Sequence, residues 1–269
     1  MIEKILFPVD FSPSCAAMAA YVRRAADIFG SQVALVYVCD LTSSNGFELM
    51  VRTMQDVAED QVWMARERLN SFLPSEFPPA SCTRILCSGE AAAQIAEVAR
   101  TRAFDLIIMP THAGRFRRML LGSTTAKVLN DADCMVMTSI HAETISPHPL
   151  EHRVWVCAVG LSTDSERVLR MASRAATAAN AKLSVIHAVG ENAGAEPRRR
   201  LQELAEKVGF AAELRIVAGP VKDALLDAAR GSDADALIVG RRLPGGGFGR
   251  LQDLTYSLVR DAPCPVLTV

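Results

Sequence analysis

The fold is indicated most clearly by residues 105–111, Asp105-Leu106-Ile107-Ile108-Met109-Pro110-Thr111, an apolar run that ends at a proline. A loop follows, and Gly122-Ser123-Thr124 then opens a helix-like segment that continues to Leu129. The first N–H groups of a helix have no acceptor within the helix, and the helix dipole also attracts anions there. The segment therefore predicts a strand, a loop and a phosphate-binding helix, although an ordinary helix after a strand has the same pattern.

Individual residues in this segment suit a phosphate ligand. Gly122 leaves room for a phosphate to approach the backbone, and Ser123 either caps the helix or donates its hydroxyl. His112 either contacts the ligand or is a loop histidine held by hydrogen bonds, which is the simpler interpretation. Arginines in the loop either contact phosphate or form a solvated face. They are Arg115, Arg117 and Arg118.

The composition of the chain limits the classes of protein to which it can belong. The chain has 269 residues, 50% of them hydrophobic, which suits two ordinary domains or one large one. Its net charge of −1 gives no strong field for nucleic acid or an anionic membrane. No apolar run is long enough to span a membrane and the first residues lack a signal-peptide pattern, so we expect a cytoplasmic protein. The seven cysteines form no Cys-x-x-Cys pair and the five histidines have no zinc spacing, so we expect reduced thiols and no metal site.

The chain repeats itself. Lys4–Asp10 matches Val154–Gly160 at an offset of 150 residues (160 − 10). Gly89–Cys134 matches Gly219–Cys264 at an offset of 130 residues (219 − 89), so the second copy is shorter by 20 residues (150 − 130). A repeat of this length indicates a duplicated domain rather than a solenoid unit. We predict a first domain over residues 1–141, a polar, proline-containing linker over 142–151 and a second domain over 152–269.

Each half alternates short apolar runs with alanine-rich helical stretches. This alternation predicts a doubly wound α/β domain, with a parallel sheet, right-handed crossovers and helices on both faces. The strands expected in the first half are Ile5–Val9, Val33–Val38, Arg84–Cys87, Leu106–Met109 and Met135–Thr138. The expected helices are Cys15–Phe29, Glu48–Phe72, Ala91–Thr101 and Ser123–Asn130.

Ligands of such sheets bind at the carboxyl ends of the strands, where the winding direction reverses. If the first strand lies beside the fourth, the loops that follow these two strands face each other. They are Asp10-Phe11-Ser12-Pro13 and Pro110–Leu121. The candidate site is therefore expected between these two loops.

The arrangement resembles the universal stress protein family in its tandem form. The similarity covers nearly the whole chain and is most specific over Arg117–Leu129. Other segments that carry it are Ile5–Ser12, Gly89-Glu90, Met109–His112, Ile238–Arg241 and Asp261–Leu267. The resemblance implies a five-stranded parallel sheet of order 3-2-1-4-5 in each half. It also implies pairing through the edge of the fifth strand, so we expect the two halves to pair with each other, and it allows a homo-oligomer.

The nucleotide-binding branch of that family carries Gly-x2-Gly-x9-Gly-[Ser/Thr] after its fourth strand. Here Pro110 and Ala113 occupy the first two glycine positions, and the spacer that begins at Gly114 is one residue short. Gly114 replaces the second glycine after a shift of one residue, and Gly122-Ser123 stand unchanged. The resemblance implies an adenine nucleotide, ATP, in the first half and leaves magnesium open.

The resemblance assigns two groups of residues to that nucleotide. Asp10 and the backbone of Phe11 and Ser12 would flank the adenine or ribose, with Val38 near the base. Asp10 also has a simpler role, which is to close the turn between strand and helix. The phosphates would lie against Thr111, His112, Gly114, Arg115, Gly122, Ser123 and Thr124.

The second half departs from this pattern. Gly160 stands in place of Asp10, and Gln252-Asp253 stand in place of Gly122-Ser123. A carboxylate repels phosphate, so we expect this half not to bind ATP in the same way, although Arg241 and Arg242 remain as cations.

Three functions fit the sequence. We favour a nucleotide-responsive regulatory protein of the universal stress type. A slow ATPase or another nucleotide-handling enzyme is the first alternative, and an interaction module without nucleotide is the second. An enzyme is less favoured because the chain has no Gly-x4-Gly-Lys-[Ser/Thr] loop and no assignable Ser/His/Asp constellation.

Overall fold

A computed structural model describes residues 2–39, 54–111, 121–139, 153–190, 194–241 and 253–269. Three predicted site residues, His112, Gly114 and Arg115, lie outside these ranges, as do the predicted linker 142–151 and the first residues of the helix expected over Glu48–Phe72. The described ranges form an α/β protein in which strands and helices alternate along the chain.

The described part of the first half contains five strands and four helices. The strands are β1 (Lys4–Pro8), β2 (Gln32–Cys39), β3 (Thr83–Ser88), β4 (Leu106–Pro110) and β5 (Met135–Ser139). The helices are α1 (Pro13–Phe29), α2 (Met54–Asn70), α3 (Ala91–Thr101) and α4 (Ser123–Asp131). The strand order is β3-β2-β1-β4-β5 and every pair is parallel, which confirms the predicted order 3-2-1-4-5.

The second half repeats this architecture. Its strands are β6 (Val154–Ala158), β7 (Lys182–Val189), β8 (Glu213–Ala218), β9 (Ala236–Val239) and β10 (Val266–Thr268). Its helices are α5 (Ser165–Ala178), α6 (Glu196–Val208), α7 (Val221–Gly231) and α8 (Asp253–Asp261). Its strand order, β10-β9-β6-β7-β8, corresponds strand by strand to β5-β4-β1-β2-β3 of the first half.

The strands are apolar because both faces of the sheet are covered by helices. In β1, Ile5 and Phe7 pack on the side of α1, whereas Leu6 packs on the side of α3 and α4. All three side chains are fully buried. Alternation along the strands therefore divides the core into two layers, one on each side of the sheet.

The duplication is also visible in the backbone. Gly89 and Gly219 have φ angles of 124° and 122°, a region that side chains disfavour, and each follows the third strand of its half. The Asp105 carboxylate accepts N–H bonds of 2.7 Å from Glu3 and 3.0 Å from Lys4. Asp235 accepts the equivalent bond from Val154 at 3.3 Å. The two halves therefore share the same conformational restraints as well as the same pattern of elements.

The halves are joined by their fifth strands. β5 and β10 pair antiparallel, with Thr138 opposite Val266 and Val136 opposite Thr268, so the protein has one ten-stranded sheet. The Thr268 hydroxyl also donates to the Val136 carbonyl oxygen at 3.1 Å. The predicted pairing of the two halves is confirmed, and each half covers the apolar strand edge of the other.

Arg241 reinforces this junction, and its location differs from the sequence prediction. The residue follows β9, and its guanidinium donates to the carbonyl oxygens of Ala132 and Cys134 in the first half. Its own amide donates to the Val269 carbonyl oxygen at 3.1 Å. Burial lowers the pKa of this guanidinium. Arg241 is therefore an interdomain contact and not a free cation for a ligand of the second half.

Replacing this contact should weaken the protein. We expect Arg241→Met to lower the free energy of unfolding by about 2 kcal/mol, because hydrogen bonds from a charged donor contribute about 1.5–3 kcal/mol. Urea unfolding followed by circular dichroism measures the change. The control is Arg230→Gln on α7, where an exposed pair with Asp227 should contribute less than about 1 kcal/mol. Equal stabilities for the two variants would contradict the interdomain role.

Candidate functional site

The candidate site lies at the carboxyl ends of β1, β2 and β4. β1 pairs with β2 on one side and β4 on the other, so the loops after these strands are neighbours. α1 and α4 also begin at this edge, after β1 and β4. The reversal of winding between β1 and β4 is where α/β sheets commonly bind ligands.

The loop after β1 is held by its own side chains. The Ser12 amide donates to Asp10 Oδ1 at 2.9 Å, and Ser12 Oγ accepts the Cys15 amide at 3.1 Å as the cap of α1. Phe11 between them has a φ of 62°. Asp10 is exposed and performs the simpler role suggested by the sequence, because its carboxylate closes the turn between strand and helix.

Phe11 forms an aromatic cluster that the sequence did not predict. Its ring centroid lies 4.6 Å from that of Tyr37 and 5.2 Å from that of Phe72, and the Arg68 guanidinium lies 4.3 Å from the ring centre. This cluster packs in the core layer of α1, whereas Val38 packs in the layer of α3 and α4. Phe11 therefore offers its backbone, rather than its ring, to a ligand on the α4 side.

The two ends of the loop after β4 are tied to the sheet. The buried Thr111 hydroxyl donates to the Ser139 carbonyl oxygen at 3.3 Å, and the Thr111 carbonyl accepts the Gly122 amide at 2.8 Å. Thr125 donates to the Pro110 carbonyl oxygen at 3.0 Å. These bonds place the start of α4 directly beside the end of β4, as the candidate site requires.

Gly122, and not Ser123, is the N-cap of α4. Ser123 is the first helical residue, so the option that its side chain caps the helix is wrong. Gly122 has φ −60° and ψ 142°, which any residue adopts, and no side chain caps the helix. Backbone conformation therefore does not require a glycine at this position.

α4 differs from the other helices whose starts are described. Ser12 caps α1 and Glu90 caps α3 through side-chain oxygens, whereas α4 has no such cap. α4 also has no acid in its first turn, whereas α5, α6 and α7 do. Those acids are Glu166, Glu196 and Asp223. The positive end of the α4 dipole therefore has no anionic side chain of its own helix to offset it.

A salt bridge that the sequence did not predict joins the start of α3 to α4. Lys127 Nζ lies 3.0 Å from Glu90 Oε1, and both side chains are about half exposed. The bond from the Ala93 amide and the contact with Lys127 hold the pKa of Glu90 below its usual value. In the sequence, the signal available for this contact was Gly89-Glu90, which follows the third strand and is one of the segments that resemble the universal stress protein family.

The equivalent edge of the second half is built differently. His187 replaces Tyr37, and its Nδ1 lies 2.8 Å from the Val159 carbonyl oxygen. Arg200 of α6 donates to the Leu161 carbonyl oxygen at 2.7 Å. α8 begins at Asp253, the counterpart of Ser123. The two edges therefore share a backbone plan but present different chemistry.

Within the described ranges, no group of three or more His, Cys, Asp or Glu side chains is arranged to hold a metal ion. No helix in those ranges combines the length and apolar character needed to cross a membrane.

Comparison with known proteins identifies the family. The universal stress protein family model matches residues 1–139 and again 152–269, so this chain belongs to that family. Universal stress protein A homolog 2 of Coxiella burnetii is 32% identical over 138 residues, 50% of this chain and 92% of that protein.

Two solved structures share the complete fold. A universal stress protein from Archaeoglobus fulgidus has a TM-score of 0.78 at 18% identity, covering 100% of this chain and 98% of its own. A universal stress protein described as putative, from Pseudomonas aeruginosa, has a TM-score of 0.67 at 17% identity, covering 100% of this chain and 93% of its own. The likeness extends over both halves, so the tandem arrangement occurs in other proteins as well.

The two serines of the site should separate structural from ligand-binding roles. Ser12→Ala removes a cap and should lower the free energy of unfolding by about 1 kcal/mol, whereas Ser123→Ala should change it by less than about 0.5 kcal/mol. Thermal unfolding of both variants measures this difference. A larger loss for Ser123→Ala would show that Ser123 supports the fold itself.

Proposed function

We propose that the protein is a regulatory protein of the universal stress type that binds ATP in its first half. The observation that carries this proposal is the start of α4, which has an unstrained glycine, no side-chain cap and no acid in its first turn. A phosphate group would occupy this position favourably because it accepts the free amides and interacts with the helix dipole.

The predicted residues suit the parts of the nucleotide. The amides of Ser123 and Thr124 and the Ser123 hydroxyl would contact phosphate, and Gly122 would leave room for it. Val38 offers an apolar contact to the base in the layer that contains α4. Asp10 and the backbone of Phe11 and Ser12 would flank the ribose or adenine. The contribution of His112, Gly114 and Arg115 stays a prediction from the sequence.

A binding function is favoured over rapid catalysis. Phosphoryl transfer to water needs a positioned water, a group that orients it and usually a metal ion. Residues 110–124 contain no Asp or Glu to organise magnesium or water. Asp10 is the one carboxylate among the predicted site residues, and it already accepts the Ser12 amide.

The second half is proposed not to bind ATP in the same way. Asp253 stands at the first helical position of α8, where α4 has Ser123. A carboxylate at 4 Å from a phosphate charge costs about 4 kcal/mol at an effective dielectric of 20, more than a helix dipole contributes. Arg241 does not compensate because it binds the first half.

Exchange of serine and aspartate between the halves tests the assignment. Ser123→Asp in the full chain should weaken ATP binding by at least about a thousandfold, from the repulsion of about 4 kcal/mol. Asp253→Ser is the matched control and should leave affinity and stoichiometry unchanged. Isothermal titration calorimetry measures both, with mass spectrometry of the purified protein to detect bound nucleotide. Equal binding by Ser123→Asp and the parent chain would place the site elsewhere.

Absence of ATP binding by the parent chain would favour the interaction module without nucleotide. In that case, Ser123→Asp should stabilise the protein, because an acid in the first turn of an otherwise uncapped helix contributes about 0.3–1 kcal/mol.

Turnover of ATP, if it occurs, should be slow. We expect a steady-state rate far below the typical enzyme scale of about 10 per second, because the loop supplies no metal-binding carboxylate. A coupled phosphate-release assay with magnesium measures the rate, and Ser123→Asp serves as the blank for contaminating ATPases. A rate near the typical scale that disappears in Ser123→Asp would support the enzyme alternative.

A further inference from the structure

A crevice of about 810 Å³ lies between the two halves, on the opposite edge of the first half from the candidate site. It extends along α5 from Arg167 to Ala178, a length of about 16 Å at the helical rise of 1.5 Å per residue. Much of its lining is apolar. The large apolar side chains of the lining include Phe29, Phe104, Met171 and Phe210. Cavities of this volume accommodate small organic ligands.

The pseudo-symmetry of the chain shows what is unusual about this crevice. Met171 matches Tyr21 at the offset of 150 residues (171 − 21). Tyr21 is buried, and its phenol interacts with Asp235 and Cys264. These two residues match Asp105 and Cys134, which line the crevice beside Met171. On one side of the junction a tyrosine therefore occupies the space, whereas on the other a methionine leaves it open.

The charges around the crevice are unevenly paired. Arg167 lies 3.8 Å from Asp164 and also donates to the Val269 carbonyl oxygen at 3.2 Å. Arg174, an exposed residue, lines the crevice and has no ion pair or hydrogen bond with any residue that the structure describes.

The acids that line the crevice are engaged elsewhere. The Asp105 carboxylate accepts two backbone amides, from Glu3 and Lys4. Asp133 interacts electrostatically with Arg100 and Arg241. Among the residues that the structure describes, Arg174 is therefore the charge in this crevice that lacks a counter-charge of its own.

We infer that this crevice binds a linear amphipathic monocarboxylate. The apolar chain would lie along α5 against Phe29, Phe104 and Met171, and the carboxylate would pair with Arg174. The lining along α5, about 16 Å long, sets an upper limit on the ligand, close to the length of an extended alkyl chain of about twelve carbons. This site is separate from the proposed nucleotide site and does not depend on it.

Tryptophan fluorescence can report on this binding. The chain has two tryptophans, and Trp155 lies against the crevice wall, with its ring centroid 6.3 Å from that of Phe29. Trp63 is exposed, so Trp63→Phe leaves Trp155 as the reporter. Titration of this variant with dodecanoate should give saturable, one-to-one binding, and dodecanol should bind more weakly. Linear, non-saturable changes with dodecanoate would overturn the inference.

Substitutions in the Trp63→Phe variant test the contacts of the alkyl chain and those of the carboxylate separately. Met171→Tyr introduces the residue of the filled side and should weaken dodecanoate binding at least tenfold. Arg174→Gln should weaken dodecanoate about fivefold and leave dodecanol unchanged, as expected for an exposed ion pair. Arg24→Gln, at the pseudo-equivalent position of α1, is the matched control and should change neither.

Circular dichroism confirms that each variant is folded. If Met171→Tyr does not fold, Arg174→Gln at its exposed position still decides the question. Equal affinities of the parent and Arg174→Gln chains for dodecanoate, or equal losses in Arg174→Gln and Arg24→Gln, would contradict the proposed site.

Discussion

The antiparallel pairing of β5 with β10 is the interaction on which the rest of the structure depends. Each domain alone would expose an apolar edge strand with unpaired backbone groups, and the pairing satisfies both edges at once. It also aligns the halves in opposite directions, so the carboxyl ends of their parallel strands lie at opposite ends of the junction. Arg241 adds hydrogen bonds across the same junction, next to the end of α4.

Duplication followed by divergence explains how one backbone plan presents two different edges. The positive φ angles at Gly89 and Gly219 and the carboxylate bonds of Asp105 and Asp235 occur in both halves because the fold needs them. Positions that the fold does not need have diverged. Ser123 has Asp253 as its counterpart, so the fourth helix of the second half begins with a carboxylate where that of the first half begins with a neutral hydroxyl.

Only part of the candidate site could be predicted from sequence motifs. The glycine at the start of α4 was predicted as a place where a phosphate approaches the backbone, and its ordinary φ shows that backbone strain does not require it. The separate structural roles of the neighbouring Asp10 and Ser12 side chains could not be predicted from a motif. Only the structure shows that the Asp10 carboxylate accepts the Ser12 amide in the turn and that the Ser12 hydroxyl caps α1.

The sequence by itself determined the strands, the helices and the duplication, because these follow from local periodicity and a repeated pattern. The strand order was implied by the resemblance to the universal stress protein family and not by any local pattern. Only the tertiary structure decided where Arg241 donates, that the Phe11 ring packs away from α4, and that Met171 lines a crevice whereas its counterpart Tyr21 is buried. These features depend on contacts between residues more than a hundred positions apart or on opposite faces of one strand. No local pattern encodes them, because they arise only when distant segments of the chain pack together.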